Sequence, residues 1–188
     1  MITIEELLFR LFVNRDDCHA LQMHKGYIMK RESVTLELIK EHLAGKLTLG
    51  VYQLLKDKVK WGCLDFDKDT WEDFENAKLL FNYLVKQGLN PLFEMSGGGK
   101  CRYHIWIFSD TTASKMQEFL KNACNKTGIY PHEIFPKQNN LEEGKFGNLV
   151  KLQLGINRKT GKRSYFLDSN FNEIESEENI IKKLEEYL

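Results

Sequence analysis

The segment 61–95 constrains the fold of this chain more than any other. Residues 61–67 (WGCLDFD) are apolar and β-prone, which predicts a strand. Thr70 is a typical N-cap for a following helix with an apolar stripe, and Gly88 predicts the end of that helix. Residues 92–95 predict another strand. This strand–helix–strand order predicts two parallel neighbouring strands joined by a right-handed crossover.

The rest of the chain mixes helical and strand patterns without repeats or linkers. With 42% hydrophobic residues, 188 residues are enough for one full core. We expect an α+β fold with a mixed β-sheet, forming a single domain over 1–188 with approximate lobes 1–58 and 59–188. Further helices are predicted near 5–13, 33–45 and 113–125 and at the acidic C-terminal end, and further strands near 18–23, 27–29, 47–55, 103–108, 133–135 and 148–154.

The charge distribution says more than the net charge. Twenty-seven basic and twenty-seven acidic residues cancel over the whole chain. The tract 144–167 contains no Asp or Glu but carries six Lys or Arg residues. Such a tract predicts a surface that faces phosphates, and a solvated loop is the alternative.

The cysteines and the hydropathy indicate the setting. Cys18, Cys63, Cys101 and Cys124 form no CxxC pair, which argues against a zinc ribbon and against a disulfide framework. The sequence shows no signal-peptide pattern and no apolar run of membrane-spanning length. We therefore expect a cytoplasmic protein that does not engage a membrane.

Asp65 and Asp67 form the strongest chemical signal. Side chains alternate between the faces of a strand, so both carboxylates share one face while Leu64 and Phe66 take the other. Two like charges this close repel unless a cation lies between them, and oxygen ligands of this kind suit Mg²⁺ or Mn²⁺. A chance pair at an exposed strand end is the alternative.

Further polar residues follow along the chain. The turn Ser96–Gly99 lacks the spacing of a phosphate loop, and we expect a hairpin that brings backbone close to a ligand. His104 lies on the returning strand, and Glu133 is a third acid beside a predicted strand. Lys151 lies on a strand face from which it could reach a phosphate.

The ordered set Asp65-x-Asp67, Ser96-Gly-Gly with Tyr-His104, Glu133 and the Asn-Leu-Val-Lys-Leu strand at 148–152 resembles the archaeo-eukaryotic primase superfamily. The similarity runs from about residue 43 to 167. It is greatest to the bacterial primase-polymerases of CRISPR-associated and other conflict systems. The resemblance implies a primase-polymerase catalytic core, with an RRM-like half and an α/β lobe.

The resemblance also implies a role for individual residues. Asp65, Asp67 and Glu133 would be catalytic metal ligands, with Asp168 as a rival third acid. His104, with Ser96, would contact the triphosphate of the incoming nucleotide. The other residues implied to line the nucleotide pocket are Lys137, Gln138, Asn148 and Lys151, with Tyr52 beside the sugar. The sequence departs from the family pattern in a longer glycine turn and in Arg102, which stands where relatives carry Ser, so the role of Ser96 is open.

The resemblance implies a template-dependent nucleotidyltransferase, a DNA or RNA primase-polymerase active in DNA replication. Its partners would be nucleoside triphosphates and a single-stranded or primed template, with further domains or CRISPR adaptation proteins beside them. Two alternatives stay open. A single-strand binding module without catalysis would expose aromatic residues such as Trp106, Phe108 and Phe146 on its sheet. A metal-dependent nuclease would use the same acids for hydrolysis.

Overall fold

The computed structural model describes residues 2–188, in which five helices and nine strands follow one another. Their bounds are α1 Ile4–Phe12, β1 His19–Met23, β2 Gly26–Lys30, α2 Leu36–Leu43, β3 Leu49–Tyr52, β4 Lys58–Phe66, α3 Trp71–Lys86, β5 Leu92–Met95, β6 Tyr103–Thr112, α4 Ala113–Thr127, β7 Glu133–Phe135, β8 Leu149–Lys151, β9 Tyr165–Leu167 and α5 Glu177–Glu185. The predicted α+β class is confirmed.

The strands form two sheets. The smaller sheet has the order β2-β1-β3-β8, and the larger has the order β7-β4-β6-β5-β9. Within residues 2–188 every pairing between these strands is antiparallel, so the expectation of a mixed sheet is wrong. Strand β8 comes from late in the chain but completes the sheet that β1 to β3 begin.

The predicted pairing of β4 with β5 is also wrong. Both strands pair antiparallel with β6, which lies between them. They therefore run in the same direction, as the connecting helix α3 requires, without being neighbours. The hairpin from β5 to β6 inserts the later strand, and local periodicity cannot reveal such an insertion because it says nothing about pairing order.

Each helix begins behind a hydroxyl side chain that accepts a backbone N–H of the first turn, which satisfies a donor that would otherwise lack a partner. The capping residues are Thr3, Thr35, Thr70, Thr112 and Ser176. The cap predicted at Thr70 is confirmed, and it starts α3 only four residues after the end of β4. Asp67, which directly follows β4, therefore lies between the end of that strand and the start of α3.

The five-stranded sheet separates two apolar cores. Helices α3 and α4 cover one face, where Leu64, Phe66 and Ile105 are buried. The other face, with Trp61 and Trp106, shares a core with helix α1 and with residues of the smaller sheet. The predicted alternation along β4 is thus confirmed. It directs Asp65 towards the side on which the smaller sheet lies.

Candidate active site

A row of four polar side chains crosses the larger sheet. Asp65 on β4 lies directly opposite Glu133 on β7 and opposite His104 on β6. His104 in turn lies opposite Glu94 on β5. Directly opposed residues of antiparallel strands point to the same face. The fold therefore aligns the four side chains in the order Glu133, Asp65, His104 and Glu94.

His104 is held between two of these acids. Its Nδ1 lies 2.9 Å from Oε2 of Glu94, and its Nε2 lies 3.6 Å from Oδ1 of Asp65. Burial opposes the charged imidazole, but Asp65 and Glu94 outweigh it and raise the pKa of His104. Nδ1–H therefore donates to the Glu94 carboxylate, which leaves Nε2 directed at Asp65.

Glu94 is fully buried and anchors a small charged network. Its Oε2 also accepts from the indole N–H of Trp106 at 2.9 Å. The Lys151 ammonium lies 3.9 Å from Oε1 and donates to Oγ of Ser164 at 2.8 Å. Burial alone would raise the pKa of Glu94, but His104 and Lys151 hold it below its usual range. The sheet thus buries a carboxylate that stays ionised.

Two outer acids of the site are paired with basic side chains. Asp67 Oδ1 lies 2.9 Å from the guanidinium of Arg102, and the Lys137 ammonium contacts the Glu133 carboxylate. Within residues 2–188, no three His, Cys, Asp or Glu side chains are grouped so as to hold a metal ion as they stand. Arg102 and Lys137 would therefore compete with a metal ion for these acids.

The electrostatics of Asp65 nevertheless fit a divalent cation. Burial raises the pKa of this carboxyl, and the nearby charges of Asp67 and Glu133 raise it further, against the opposing effect of His104. The ionised form of a carboxyl in such surroundings is stabilised by any cation that lies between the three acids. Three carboxylates from neighbouring strands also form the oxygen donor set that Mg²⁺ and Mn²⁺ prefer.

The glycine turn after β5 is the hairpin that the sequence predicts. The N–H of Ser96 donates to the carbonyl of Arg102 at 2.9 Å, which closes the turn. Gly97 has φ +73°, and a Cβ there would lie 2.8 Å from the carbonyl oxygen of Lys162. Only glycine therefore allows the loop after β8 to pack on this turn.

Asp69 fixes the turn to the end of β4. Its Oδ1 accepts the N–H groups of Lys100 and Cys101, both at 2.6 Å. These hydrogen bonds lower the pKa of its carboxyl. Asp69 thus positions the backbone that carries Arg102, and it is not a partner of the acids in the row.

Asp65, Glu133 and His104 of the row line one cleft of about 380 Å³, together with Asp67 and Arg102. One wall is acidic and the other is polar or basic, a division that suits a metal-bound polyphosphate. The polar lining residues are Gln22, Asp65, Asp67, Ser96, Arg102, His104, Glu133, Lys151, Asn157 and Lys159.

The structure brings together Asp65, Asp67, Glu133, His104, Ser96 and Lys151 of the predicted site residues. Lys137 joins them through its contact with Glu133. Gln138 and Asn148 do not line the cleft, and their predicted nucleotide contacts stay predictions.

Tyr52 is buried against Phe146 in a separate small cluster, away from the cleft lining. Its predicted contact with the sugar likewise stays a prediction. Asp168 accepts the N–H groups of Asn170 and Asn172 in the turn after β9, where it lies outside the cleft. Of the two candidate third acids, Glu133 lines the cleft and Asp168 does not.

A comparison with family models adds an independent observation. The model described as the archaeo-eukaryotic primase domain of the TOTE conflict system matches residues 14–187. The chain belongs to this family. The match covers nearly the whole chain, including every residue of the cleft, and it confirms the suspected superfamily and its conflict-system branch. No curated protein matches the chain.

Two residues of this primase domain were missed from the sequence. Glu94 had one usable signal, because it is the single charge in the apolar strand Leu92–Met95 and shares its face with Ser96. Asp69 gave no comparable signal, since its partners are backbone groups thirty-one and thirty-two residues away.

Within residues 2–188, no helix has the length and apolarity needed to cross a membrane.

Proposed function

We propose that this primase domain is a template-dependent nucleotidyltransferase that uses Mg²⁺ or Mn²⁺ held by Asp65, Asp67 and Glu133. The observation that carries the proposal is the row of directly opposed residues Glu133, Asp65 and His104 on three neighbouring strands. Chance rarely places two acids and a histidine in one transverse row facing a cleft with basic residues on its other wall.

The chain's own residues divide the work. Arg102 and Lys137, released from their acids, supply positive charge near the triphosphate, and Lys159 adds to it from the opposite wall. His104, oriented by Glu94, presents Nε2 to the same space. In the transfer, the 3′-hydroxyl of the growing strand loses its proton to solvent and its oxygen bonds to the α-phosphorus. The bond from that phosphorus to the oxygen that bridges to the β-phosphate breaks, and pyrophosphate leaves.

The bound metals would lower the pKa of the attacking hydroxyl and neutralise charge on the triphosphate. Asp65 contributes because burial raises the pKa of its carboxyl despite the His104 Nε2 3.6 Å away, so a cation beside it would stabilise the carboxylate. Asp67 is more exposed, with 37% of its side chain accessible, which suits exchange between Arg102 and an arriving ion.

One observation favours a second candidate, a nucleic-acid-binding domain without catalysis. The pairs Asp67–Arg102 and Glu133–Lys137 neutralise two acids internally, as a domain without metal would require. The aromatic residues expected on the sheet of such a module argue against it in part. Trp106 is fully buried, and Phe108, half-buried against Phe12 and Tyr187, lies outside the cleft.

The test is nucleotide incorporation on primed and unprimed templates with Mn²⁺ or Mg²⁺, comparing wild type with Asp65→Asn and Asp67→Asn. Asp110→Asn is the matched control, because Asp110 is an exposed carboxylate on β6, about 20 Å along the strand from His104. We expect each active-site variant to lose more than about a hundredfold in rate, since they remove metal ligands directly.

Each alternative has its own outcome. Template binding without incorporation in the wild type would establish the non-catalytic module. Degradation of the template without nucleotides, lost in Asp65→Asn, would establish the nuclease. Equal activity of Asp65→Asn and Asp110→Asn would show that the acids of the row take no part in the reaction.

A further inference from the structure

Two basic tracts without acidic residues meet beside the cleft. Residues 18–31 and 144–167 contain no Asp or Glu, and the first carries Lys25, Lys30 and Arg31 in addition to two histidines. The tracts touch near the cleft, where the N–H of Arg158 donates to the side chain of Gln22 at 2.9 Å. Lys151 is buried, and the exposed basic side chains of the two tracts are Lys25, Arg31, Lys145, Lys159, Lys162 and Arg163.

Exposed apolar side chains lie within these two tracts. Strand β2 is an edge strand of the smaller sheet, and Tyr27 and Met29 are each 37% exposed on it. The Tyr27 ring lies over Gly50, where a Cβ would stand 3.0 Å from it. Leu149, directly opposite Tyr52, lies on the same face. We call Tyr27, Met29, Phe146 and Leu149 the aromatic strip.

Phe146 forms the far end of the aromatic strip. The guanidinium groups of Arg15 and Arg31 lie 4.9 and 4.8 Å from its ring centroid. The Tyr52 ring supports it from beneath at 5.6 Å. Arginine planes beside an aromatic ring are a combination that stacks bases and contacts phosphates at once.

The aromatic strip is continuous with the cleft, because both Tyr27 and Leu149 also line it. We propose that the aromatic strip binds a single-stranded nucleic acid, the template strand leading into the cleft. The inference rests on the proposed function, since it assigns the path of that function's template. Bases would stack on Tyr27 and Phe146, and phosphates would face Arg31.

Charge complementarity decides the occupant. An apolar edge strand can also receive a protein strand, but a protein partner would not require two acid-free basic tracts around it. The polyanionic backbone of a nucleic acid does require them. Single strands are favoured over duplexes because stacking on a side chain needs an unpaired base.

The experiment measures binding of a fluorescent oligothymidylate by anisotropy, with EDTA and without nucleotide, so that catalysis plays no part. We expect Tyr27→Ala and Phe146→Leu each to weaken binding by about tenfold, as loss of base stacking does. Arg31→Ala should reduce the slope of log K against the logarithm of the salt concentration by about one. The control is Phe119→Ala, because Phe119 is 39% exposed on α4, which covers the opposite face of the larger sheet.

Unchanged affinity in Tyr27→Ala and Phe146→Leu, or an equal loss of affinity in Phe119→Ala, would refute the proposal that the aromatic strip binds a single strand. The proposal would also be refuted if a duplex displaced the labelled oligothymidylate as effectively as an unlabelled single strand does. Nucleotide incorporation by the same preparations keeps the two proposals apart. An active wild type with unaffected strip variants refutes only the strip. An inactive wild type whose strip variants lose affinity refutes only the enzyme.

Discussion

Replacement of Glu94 by Gln tests the buried network most directly. The change keeps the shape of the side chain and removes the charge that His104, Trp106 and Lys151 share. A hydrogen bond to a charged group contributes roughly 1.5–3 kcal/mol and a neutral one about 1, so orientation of His104 should weaken by about 0.5–2 kcal/mol. We therefore expect kcat/KM for nucleotide to fall between about twofold and thirtyfold.

The same change should destabilise the fold, because it leaves the buried Lys151 ammonium without its counter-charge. Breaking a buried pair costs about 3–5 kcal/mol, and we expect the lower end since Lys151 keeps its hydrogen bond to Ser164. Removing both charges in Glu94→Gln/Lys151→Met should recover part of that loss. A double-mutant cycle of the free energy of unfolding, measured by urea denaturation, gives the coupling.

The kinetic readout separates positioning from simple loss of fold. If Glu94 acts through His104 on the triphosphate, KM for nucleotide rises while affinity for oligonucleotide is unchanged. A partly unfolded variant would instead lose kcat in proportion to its unfolded fraction, with KM unaltered. The matched control is Glu178→Gln, a surface glutamate paired with Lys182 on α5. An unchanged KM in Glu94→Gln, or additive unfolding energies in the cycle, would refute the reasoning.

Three further predictions follow from other contacts. Burial, with the nearby Lys151 charge, lowers the pKa of His42 to about 3 from 6.5, so the unfolded chain binds the extra proton and stability falls as pH drops through that window. Between pH 7 and 5 the free energy of unfolding should fall by about 2 kcal/mol more in wild type than in His42→Asn, and equal slopes would contradict this. Asp69→Ala should cost about 1–2 kcal/mol, measured by urea denaturation, whereas Asp69→Asn, which keeps an acceptor and tolerates φ +62°, should lose less. Arg102→Gln should raise Mn²⁺ affinity by freeing Asp67 and should raise KM for nucleotide, and weaker Mn²⁺ binding in a titration would disprove the exchange.

The sequence predicted those parts of the site that depend on local alternation. The period of two along β4 was enough to place Asp65 and Asp67 on one face and Leu64 on the other, because a strand allows no other arrangement. The N-cap at Thr70 was likewise local, since its acceptor and donor are three residues apart.

What the sequence did not predict depends on contacts between distant residues. The basic partners of Asp67 and Glu133 cannot be read from spacing alone, because they depend on how the turn at 96–102 and the segment after β7 fold back. The strand alternation predicts that Lys151 faces a phosphate, yet the structure buries it beside Glu94.

The order of strands explains why this acidic row can exist at all. If β4 and β5 were neighbours, as the helical crossover suggested, their acids Asp65 and Glu94 would lie on adjacent strands with no base between them. Two buried carboxylates in that position would repel, and one would take up a proton. Insertion of β6 places His104 between them, opposite both acids at once. The insertion of β6 made the predicted pairing of β4 with β5 wrong. The same insertion keeps Glu94 ionised and directs Nε2 of His104 at Asp65.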